Sequence, residues 1–180
     1  PRLFTQLCSE GCSVPIVGIS GSSGKSTTTA LTGEMYAAAG QRVWVGGNIG
    51  QPLIEELLIG ECPDAVVMEL SSFQLELFSP DYQGDTVEAR RTDASRVVSL
   101  AGWSPAIAAI TNITPNHLDR HPSMDDYVRC KANILLFQKA GDWAILNRDD
   151  ETCRRLQART PAQVLQFSLR DPVASGAFLR

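Results

Sequence analysis

The sequence has no long hydrophobic run and no excess of basic residues. None of its apolar stretches approaches the roughly 20 consecutive residues that span a bilayer, and no signal-peptide pattern opens it. We therefore expect a cytoplasmic protein with no membrane partner. The formal net charge is −4, whereas binding to the phosphates of a nucleic acid requires a basic face. We accordingly expect no nucleic-acid partner.

Cysteines are few, and their spacing suggests no pairs. The chain has five, at Cys8, Cys12, Cys62, Cys130 and Cys153. The number is odd, the positions are scattered, and no two are spaced as in the CxxC motifs of zinc sites and redox proteins. We expect free thiols in a reducing compartment and no zinc centre.

Lysine is the scarcest of the charged residues. Of the 16 basic residues only Lys25, Lys131 and Lys139 are lysines, and the others are arginines. Lys25 lies in a glycine-rich stretch where a compact ammonium on a flexible stem is suited to binding phosphate. We therefore ask whether Lys131 also lies where an amine is required instead of a guanidinium. With three lysines in the chain, the pattern is a pointer only.

A glycine-rich stretch dominates the N-terminal half. Residues 21–27 read Gly-Ser-Ser-Gly-Lys-Ser-Thr, follow the apolar run 15–19 and open a helical pattern. Backbone N–H groups and the positive end of a helix dipole then form a phosphate cradle, in which Lys25 reaches the β- and γ-phosphates and Ser26 holds Mg²⁺. Ile19 replaces the first glycine of the full Walker motif, so this is a compact variant. The alternative is a strand-to-helix turn without a ligand.

The order of predicted elements indicates an α/β fold. The 180 residues suit a single domain, and 43% of them are hydrophobic. We predict a mostly parallel P-loop-type sheet with helices on both faces. The predicted strands are 15–19, 42–46, 64–70, 106–113, 143–146 and 163–167, and the predicted helices lie within 1–13 and at 26–39, 51–59, 125–138 and 149–158. Residues 80–102 read as an amphipathic helix, whose arginines form a solvated face or contact an anion.

Two further polar groups follow predicted strands. Glu69 ends the apolar run 64–70 and either binds Mg²⁺ or is a surface carboxylate. His117, Asp119 and His121 form a His-x-Asp-x-His pattern after the next strand, and this pattern either ligates a metal or is a polar loop that satisfies itself. Because both groups leave the carboxyl ends of strands, we expect them to share a cleft with Lys25.

Four motifs between residues 16 and about 150 together resemble the Mur ligases of peptidoglycan synthesis. They are Gly21-x-x-Gly24-Lys25-Ser26-Thr27-Thr28-Thr29, Gly46-Gly47-Asn48-Ile49-Gly50, Glu69-Leu70-Ser71-Ser72-Phe73-Gln74-Leu75-Glu76, and His117-Leu118-Asp119-Arg120-His121 followed by Tyr127 and Lys131. The resemblance covers the central ATP-binding domain, expected at residues 1–170. Residues 171–180 would be a linker towards a C-terminal domain, which is absent here, as is the family's N-terminal domain for the uridine nucleotide.

The second and third motifs resemble the family member that adds D-glutamate. The resemblance implies an ATP-dependent ligase that phosphorylates the carboxylate of UDP-N-acetylmuramoyl-L-alanine. The amine of D-glutamate then attacks the acyl phosphate, because phosphate turns a poor electrophile into a good one. The implied cofactors are ATP and Mg²⁺ at two sites.

The resemblance also implies roles for single residues. Nucleotide binding falls to Gly21, Ser22, Ser23, Gly24, Lys25, Ser26 and Thr27. Ser26 and Glu69 would hold the first Mg²⁺, while His117 and a carbamate on Lys131 would hold the second. Lys25, His117 and Lys131 are thus the expected catalytic residues. Asn48, Ser71 and Gln74 would line the end of the cleft that receives the muramoyl peptide.

Two departures from the family and three alternatives accompany this interpretation. Ser22-Ser23 replaces the usual Thr-Asn of the loop, and the segment 80–102 is longer than expected. A folylpolyglutamate synthase-like ligase would share a similar phosphate loop and the carbamate lysine, but not the Gly-Gly-Asn-Ile-Gly and Ser-Ser-Phe-Gln pair. Another P-loop ATPase or kinase would hydrolyse or transfer phosphate with no dependence on an amino acid. The 180 residues by themselves are expected to bind nucleotide without ligase turnover, because closure that excludes water requires a further domain.

Overall fold

The computed structural model describes residues 14–50, 53, 54, 56, 62–80, 103–117 and 119–180. The helix predicted within residues 1–13 and residues 81–102 of the predicted amphipathic segment lie outside this part of the chain. Residues 53, 54 and 56 are helical, as the predicted helix at 51–59 requires. No helix among the described residues is long and apolar enough to cross a membrane.

Seven strands form one sheet, in which every described pair of neighbours runs parallel. This confirms the predicted α/β class. The strand order is β2-β3-β1-β4-β5-β6-β7, so β1 lies between β3 and β4. The strands are β1 (Ile16–Ser20), β2 (Val43–Gly47), β3 (Ala65–Glu69), β4 (Ile107–Ile110), β5 (Trp143–Asn147), β6 (Gln163–Ser168) and β7 (Gly176–Phe178).

The helices of the described part differ little from the predicted ranges. They are α1 (Lys25–Ala38), α2 (Ser72–Glu76), α3 (Met124–Leu136) and α4 (Glu151–Leu156), and a 3₁₀ turn (Gln157–Arg159) continues α4. The short helix α2 has no counterpart among the predicted elements, because one and a half turns carry too little periodicity to detect. Asp150 caps α4 by accepting a hydrogen bond from the backbone N–H of Cys153 at 2.9 Å.

Both faces of the sheet bury apolar side chains. Successive residues of a strand point to opposite faces, so Ile16 joins the larger core cluster while Val17 and Ile19 join a smaller one. The larger cluster includes Ile134 and Leu135 of α3 and residues of α4. The smaller cluster packs against Tyr36 of α1. This agrees with the prediction of helices on both faces.

The sheet continues into the segment expected to be a linker. Residues 176–178 form β7, which pairs with β6 through Gln166, Phe167 and Ser168. Backbone hydrogen bonds at both ends of this pairing, Gln166 N to Ser175 O and Leu179 N to Ser168 O, fix the strand. Residues 176–178 therefore belong to the sheet.

The cysteines differ in state. Cys130 and Cys153 are free and buried, as the spacing suggested. Burial raises the pKa of the Cys130 thiol to about 11 and that of Cys153 to about 12. Cys62 forms a disulfide bond, so the expectation of free thiols is wrong at this position. The spacing gave no hint of this pairing, because which cysteines meet is decided by the fold.

Candidate active site

The glycine-rich loop lies between β1 and α1, where a phosphate cradle was predicted. Residues 21–27 are called the phosphate loop below. Gly24 adopts a left-handed conformation (φ 82°) immediately before α1, and no side chain caps this helix end. The first backbone N–H groups of α1 thus have no intrahelical partner. An N-terminus of this kind, preceded by a turn of small residues, presents donors and positive potential to an anion.

The carboxyl end of β4 holds the loop in place. The Asn112 side chain accepts a hydrogen bond from Ser23 N (2.9 Å) and donates one to Ser23 O (3.0 Å). Thr111 Oγ1 donates to the same carbonyl at 2.6 Å. Gly21 has φ 144°, and a β-carbon there would collide with Thr111 Oγ1. These contacts hold the loop in position without a ligand. Asn112 contributes two of them, although none of the sequence motifs includes this residue.

Ser22 anchors the other side of the loop. Its buried hydroxyl donates to Thr114 O at 2.9 Å, accepts from Thr114 N at 2.9 Å, and lies 3.0 Å from the hydroxyl of Tyr127 on α3. Burial raises the pKa of Tyr127, so this phenol keeps its proton at neutral pH. The serine that replaces threonine in the family pattern thus has a structural role.

Two lysines reach the loop from opposite sides. Lys25 Nζ donates to Ser22 O at 3.2 Å, and Lys131 Nζ donates to Gly21 O at 2.9 Å. Lys131 is only 2% exposed and its ammonium group lies 4.7 Å from the centroid of the Tyr127 ring. Burial lowers the pKa of Lys131 to about 7, and the nearby charge of Lys25 contributes to the shift.

Glu69 ends β3 beside the loop and is 2% exposed. Its Oε2 accepts a hydrogen bond from Ser26 Oγ at 2.7 Å, and its Oε1 accepts one from the Asn48 amide at 3.0 Å. Gly47 allows this approach, because its φ is 106° and a β-carbon would collide with the Glu69 carbonyl oxygen. A hydroxyl and a buried carboxylate that accepts from two neutral donors, next to the predicted phosphate cradle, fit the oxygen ligands that Mg²⁺ prefers.

A cleft of about 130 Å³ brings the predicted motifs together. It is lined by Lys25, Asn48, Ser71, Ser72, Phe73, His117, Tyr127 and Lys131. Strand order explains this meeting, since the loops after β1, β2, β3 and β4 all leave the same edge of a parallel sheet. Glu69 and the histidine loop were both expected to share a cleft with Lys25. His117 lines the cleft with Lys25, whereas Glu69 is not among the lining residues and contacts one of them, Asn48.

Gln74 is not among the residues that line the cleft. Its side chain hydrogen-bonds to Ser71, which does line it. Gln74 Oε1 accepts hydrogen bonds from Ser71 N at 3.0 Å and from Ser71 Oγ at 3.2 Å, while Gln74 N donates to Ser71 Oγ. This is a capping box, which starts α2. The Ser-Ser-Phe-Gln motif therefore shapes the local backbone as well as presenting groups to the cleft.

The three polar residues of the His-x-Asp-x-His pattern do not converge. His117 has φ 54°, is exposed, and borders the cleft with its ring 5.4 Å from that of Phe73. Asp119 is exposed, and His121 is buried at 3%. The carbonyl of His117 accepts the N–H of His121 at 3.0 Å, and both histidine rings lie within 5.4 Å of the Phe73 ring. Among the described residues, the ligand atoms of these three are not gathered within 4.8 Å of one another, and a metal site formed by all three stays a prediction.

A second, larger cavity lies on the α1 face of the sheet. It has a volume of about 750 Å³ and extends from the phosphate loop along Val17, Ile19, Ile107 and Ile145. Its lining contains no charged side chain. Ser23 and Gly24 of the glycine-rich loop border this cavity, whereas Lys25, His117 and Lys131 line the smaller cleft.

Sequence comparison agrees with this geometry. A family model described as the Mur ligase middle domain matches residues 86–178, just over half of the chain. The chain belongs to the Mur ligase family. The part outside this match contains the phosphate loop and Glu69, whose arrangement has been described above.

Curated relatives that match this chain carry the name UDP-N-acetylmuramoylalanine–D-glutamate ligase. The UDP-N-acetylmuramoylalanine–D-glutamate ligase of Symbiobacterium thermophilum is 42% identical over 171 residues, which are 94% of this chain and 32% of that protein. The enzyme of the same name from Geotalea uraniireducens is 38% identical over 175 residues, 97% of this chain and 34% of that one. The chain thus spans about a third of the length of the curated relatives it matches.

Solved Mur ligase structures share the fold. A UDP-N-acetylmuramoyl-L-alanyl-D-glutamate–2,6-diaminopimelate ligase has a TM-score of 0.65 at 21% identity, with 95% of this chain and 36% of that chain covered. The MurF ligase of Thermotoga maritima, solved in complex with ADP, has a TM-score of 0.63 at 17% identity, with 94% and 36% covered. At these identities the likeness concerns the fold alone.

Proposed function

We propose that this chain is the ATP-binding middle domain of a ligase that joins D-glutamate to UDP-N-acetylmuramoyl-L-alanine. The observation that carries the proposal is the meeting of Lys25, Glu69 and Lys131 around one phosphate loop, in a chain 42% identical to a ligase of that name. The reaction would activate the alanyl carboxylate as an acyl phosphate, which the amine of D-glutamate attacks with loss of phosphate.

The phosphate loop would bind ATP through residues 21–27. Backbone N–H groups at the start of α1 face the loop, and Lys25 would turn from Ser22 O towards the β- and γ-phosphates. Because Thr111 and Asn112 already hold Ser23, little of the binding energy would be spent on ordering the loop.

Two Mg²⁺ ions would accompany ATP. Ser26 and Glu69, whose oxygens are 2.7 Å apart, would hold the first ion, and His117 with a modified Lys131 would hold the second. When bound, the ions would neutralise charge that develops on the phosphate oxygens. Asn48 and Ser71 would contact the muramoyl peptide in the same cleft, and Gln74 would position Ser71.

Lys131 is suited to carbamylation. At neutral pH a substantial fraction of its amine is neutral, because burial lowers its pKa to about 7. The Nζ lone pair would form a bond to the carbon of CO₂ and the nitrogen would release a proton to solvent. The product is a carbamate, an anionic oxygen ligand suited to Mg²⁺. An arginine could not be modified in this way.

The deciding experiment measures phosphate release by a full-length enzyme that carries this chain as its middle domain. ATP, Mg²⁺ and UDP-N-acetylmuramoyl-L-alanine are supplied with and without D-glutamate. We expect release only when both substrates are present, and no turnover by the 180 residues alone. Phosphate release that is the same with and without D-glutamate would indicate an ATPase or a kinase. Release that depends on glutamate with a folate in place of the muramoyl substrate would indicate a folylpolyglutamate synthase-like ligase.

A further inference from the structure

Three side chains that the proposed reaction does not use converge on one side of α3. They are His121, Asp126 and Cys130, and one ligand atom from each lies within 4.8 Å of the other two. His121 and Cys130 are 3% and 1% exposed, and the Asp126 side chain is 20% exposed. The group is thus open to solvent only at the carboxylate.

The donor set differs in kind from that at Glu69. An imidazole, a carboxylate and a thiol together suit a borderline-soft cation such as Zn²⁺, which binds tetrahedrally with a fourth position available for water. Mg²⁺ prefers oxygen ligands alone and would gain little from a thiol. The chemistry of the cluster therefore separates it from the proposed Mg²⁺ sites.

The His121 ring is already oriented for such a role. Its Nδ1 faces Asp126 Oδ2 at 3.2 Å, and its Nε2 lies 2.9 Å from the Ser72 hydroxyl. Without a metal, Nδ1–H donates to the carboxylate, which can only accept, and the hydroxyl donates to Nε2. With a metal on Nδ1 the proton moves to Nε2, and the same hydroxyl accepts it. Ligating histidines commonly have such a partner on their other nitrogen.

We infer that His121, Asp126 and Cys130 form a binding site for one thiophilic divalent cation of the Zn²⁺ class. Binding would replace the thiol proton of Cys130 by a bond from sulfur to the metal, and the proton would leave to solvent. Asp126, which also pairs with Arg129, would turn one oxygen to the metal. The spacing of the cysteines led us to expect no zinc centre. A search for paired cysteines does not detect this site, because it contains one cysteine and its other two ligands are a histidine and an aspartate.

The site adjoins the proposed active site. The His121 ring stacks on Phe73 of the cleft at 5.2 Å with an interplanar angle of 4°, and its centroid lies 5.2 Å from that of Tyr127. Tyr127 in turn contacts Ser22 of the phosphate loop. A bound cation would tie the histidine loop to α3 and should raise the thermal unfolding temperature of the chain.

The test is a Co²⁺ and Zn²⁺ titration of the 180-residue chain under a non-coordinating reductant. We expect one Co²⁺ per chain with a thiolate-to-cobalt charge-transfer absorption, and one Zn²⁺ by calorimetry. Cys130→Ala should abolish the absorption and weaken Zn²⁺ binding at least about tenfold. Cys153→Ala is the matched control, since Cys153 is also free and buried, and it should retain both signals.

Two further variants keep the test decisive if Cys130→Ala folds poorly. His121→Gln retains the thiol but should also weaken Zn²⁺ binding at least about tenfold. Glu69→Gln should leave the cobalt absorption unchanged, as should an excess of Mg²⁺. A cobalt absorption that survives both Cys130→Ala and His121→Gln, or the absence of any binding to the unaltered chain, would overturn the inference. Loss of ligase activity would not bear on it, because the readout is metal binding alone.

Discussion

Lys25 and Lys131 both donate to carbonyl groups of the phosphate loop, yet their surroundings differ. Lys25 is half-buried at the start of α1 and contacts Ser22 O at 3.2 Å. Lys131 is buried in α3, beneath the Tyr127 ring, and contacts Gly21 O at 2.9 Å. Both side chains line the smaller cleft, but only that of Lys131 is fully buried. The two lysines thus differ in their position relative to the core, although both donate to the same loop.

The largest expected effect concerns Lys25. In a full-length enzyme that carries this chain, Lys25→Ala should lower kcat/KM at least about 10²-fold, because a charge aimed at the transferred phosphoryl group is lost. Lys139→Ala is the matched control, since Lys139 is exposed and should leave the rate unchanged. Steady-state phosphate release measures both. Near-normal turnover of Lys25→Ala would remove this lysine from the mechanism.

A smaller loss is expected for Lys131. Lys131→Met keeps the apolar stem but cannot be carbamylated, and it should lower the rate about 10- to 100-fold. Removal of CO₂ from the buffer should slow the unaltered enzyme, and bicarbonate should restore it, with no such response in the variant. Rates measured across a bicarbonate series test this. An unaltered enzyme that is indifferent to bicarbonate would contradict a role for the carbamate.

The buried amine should also make stability depend on pH. Between pH 7 and 10.5 the unfolded chain keeps a proton on Lys131 that the folded chain has largely lost, since the pKa falls from 10.5 to about 7 on folding. The free energy of unfolding from this group should therefore rise with pH across that window, by at most about 1.4 kcal/mol per pH unit. Below pH 7 both states are protonated and the slope vanishes.

Urea unfolding of the 180-residue chain at several pH values, in buffer without bicarbonate, measures this slope. Lys131→Met should flatten the curve in the window. Lys25→Ala should keep most of the slope, because it removes the lesser cause of the lowered Lys131 pKa and leaves burial, the larger one. Equal slopes in the unaltered chain and in Lys131→Met would show that Lys131 does not lose its proton on folding.

The smallest expected effect concerns the capping box that starts α2. Gln74→Ala removes the acceptor for Ser71 N and Ser71 Oγ and should destabilise the chain by about 1 kcal/mol. Thermal unfolding should then begin about 2 to 4 °C lower. Glu76→Ala, at an exposed position of the same helix, is the control. Unchanged stability with weaker binding of the muramoyl substrate would assign Gln74 to the substrate instead of to the cap.

Much of the fold was predictable because its signals are local. The apolar runs at 15–19 and 64–70 and the glycine-rich turn between 21 and 27 mark strands and a strand-to-helix connection within a few residues. Parallel strands then require the loops after them to meet at one edge, which is why Lys25 and His117 were expected to share a cleft.

The errors fell where distant segments decide the outcome. The histidine pattern suggested one metal site within the loop. In the structure the His121 ring contacts Ser72 and Asp126, which lie outside that pattern. Asn112 was seen only as a strand end, although it holds the phosphate loop. Nothing in the spacing of Cys62 indicated its disulfide.

The sequence by itself determined which stretch forms the glycine-rich strand-to-helix loop, the alternation of strands and helices, and the family to which the chain belongs. Each of these depends on neighbouring residues or on motifs read in order. Only the tertiary structure decided that Lys131 lies against the carbonyl of Gly21, 110 residues away, and that Cys130 faces His121 and Asp126. The physical reason is that burial, and with it the pKa of an amine or the donor set of a metal site, arises from contacts that strand order creates.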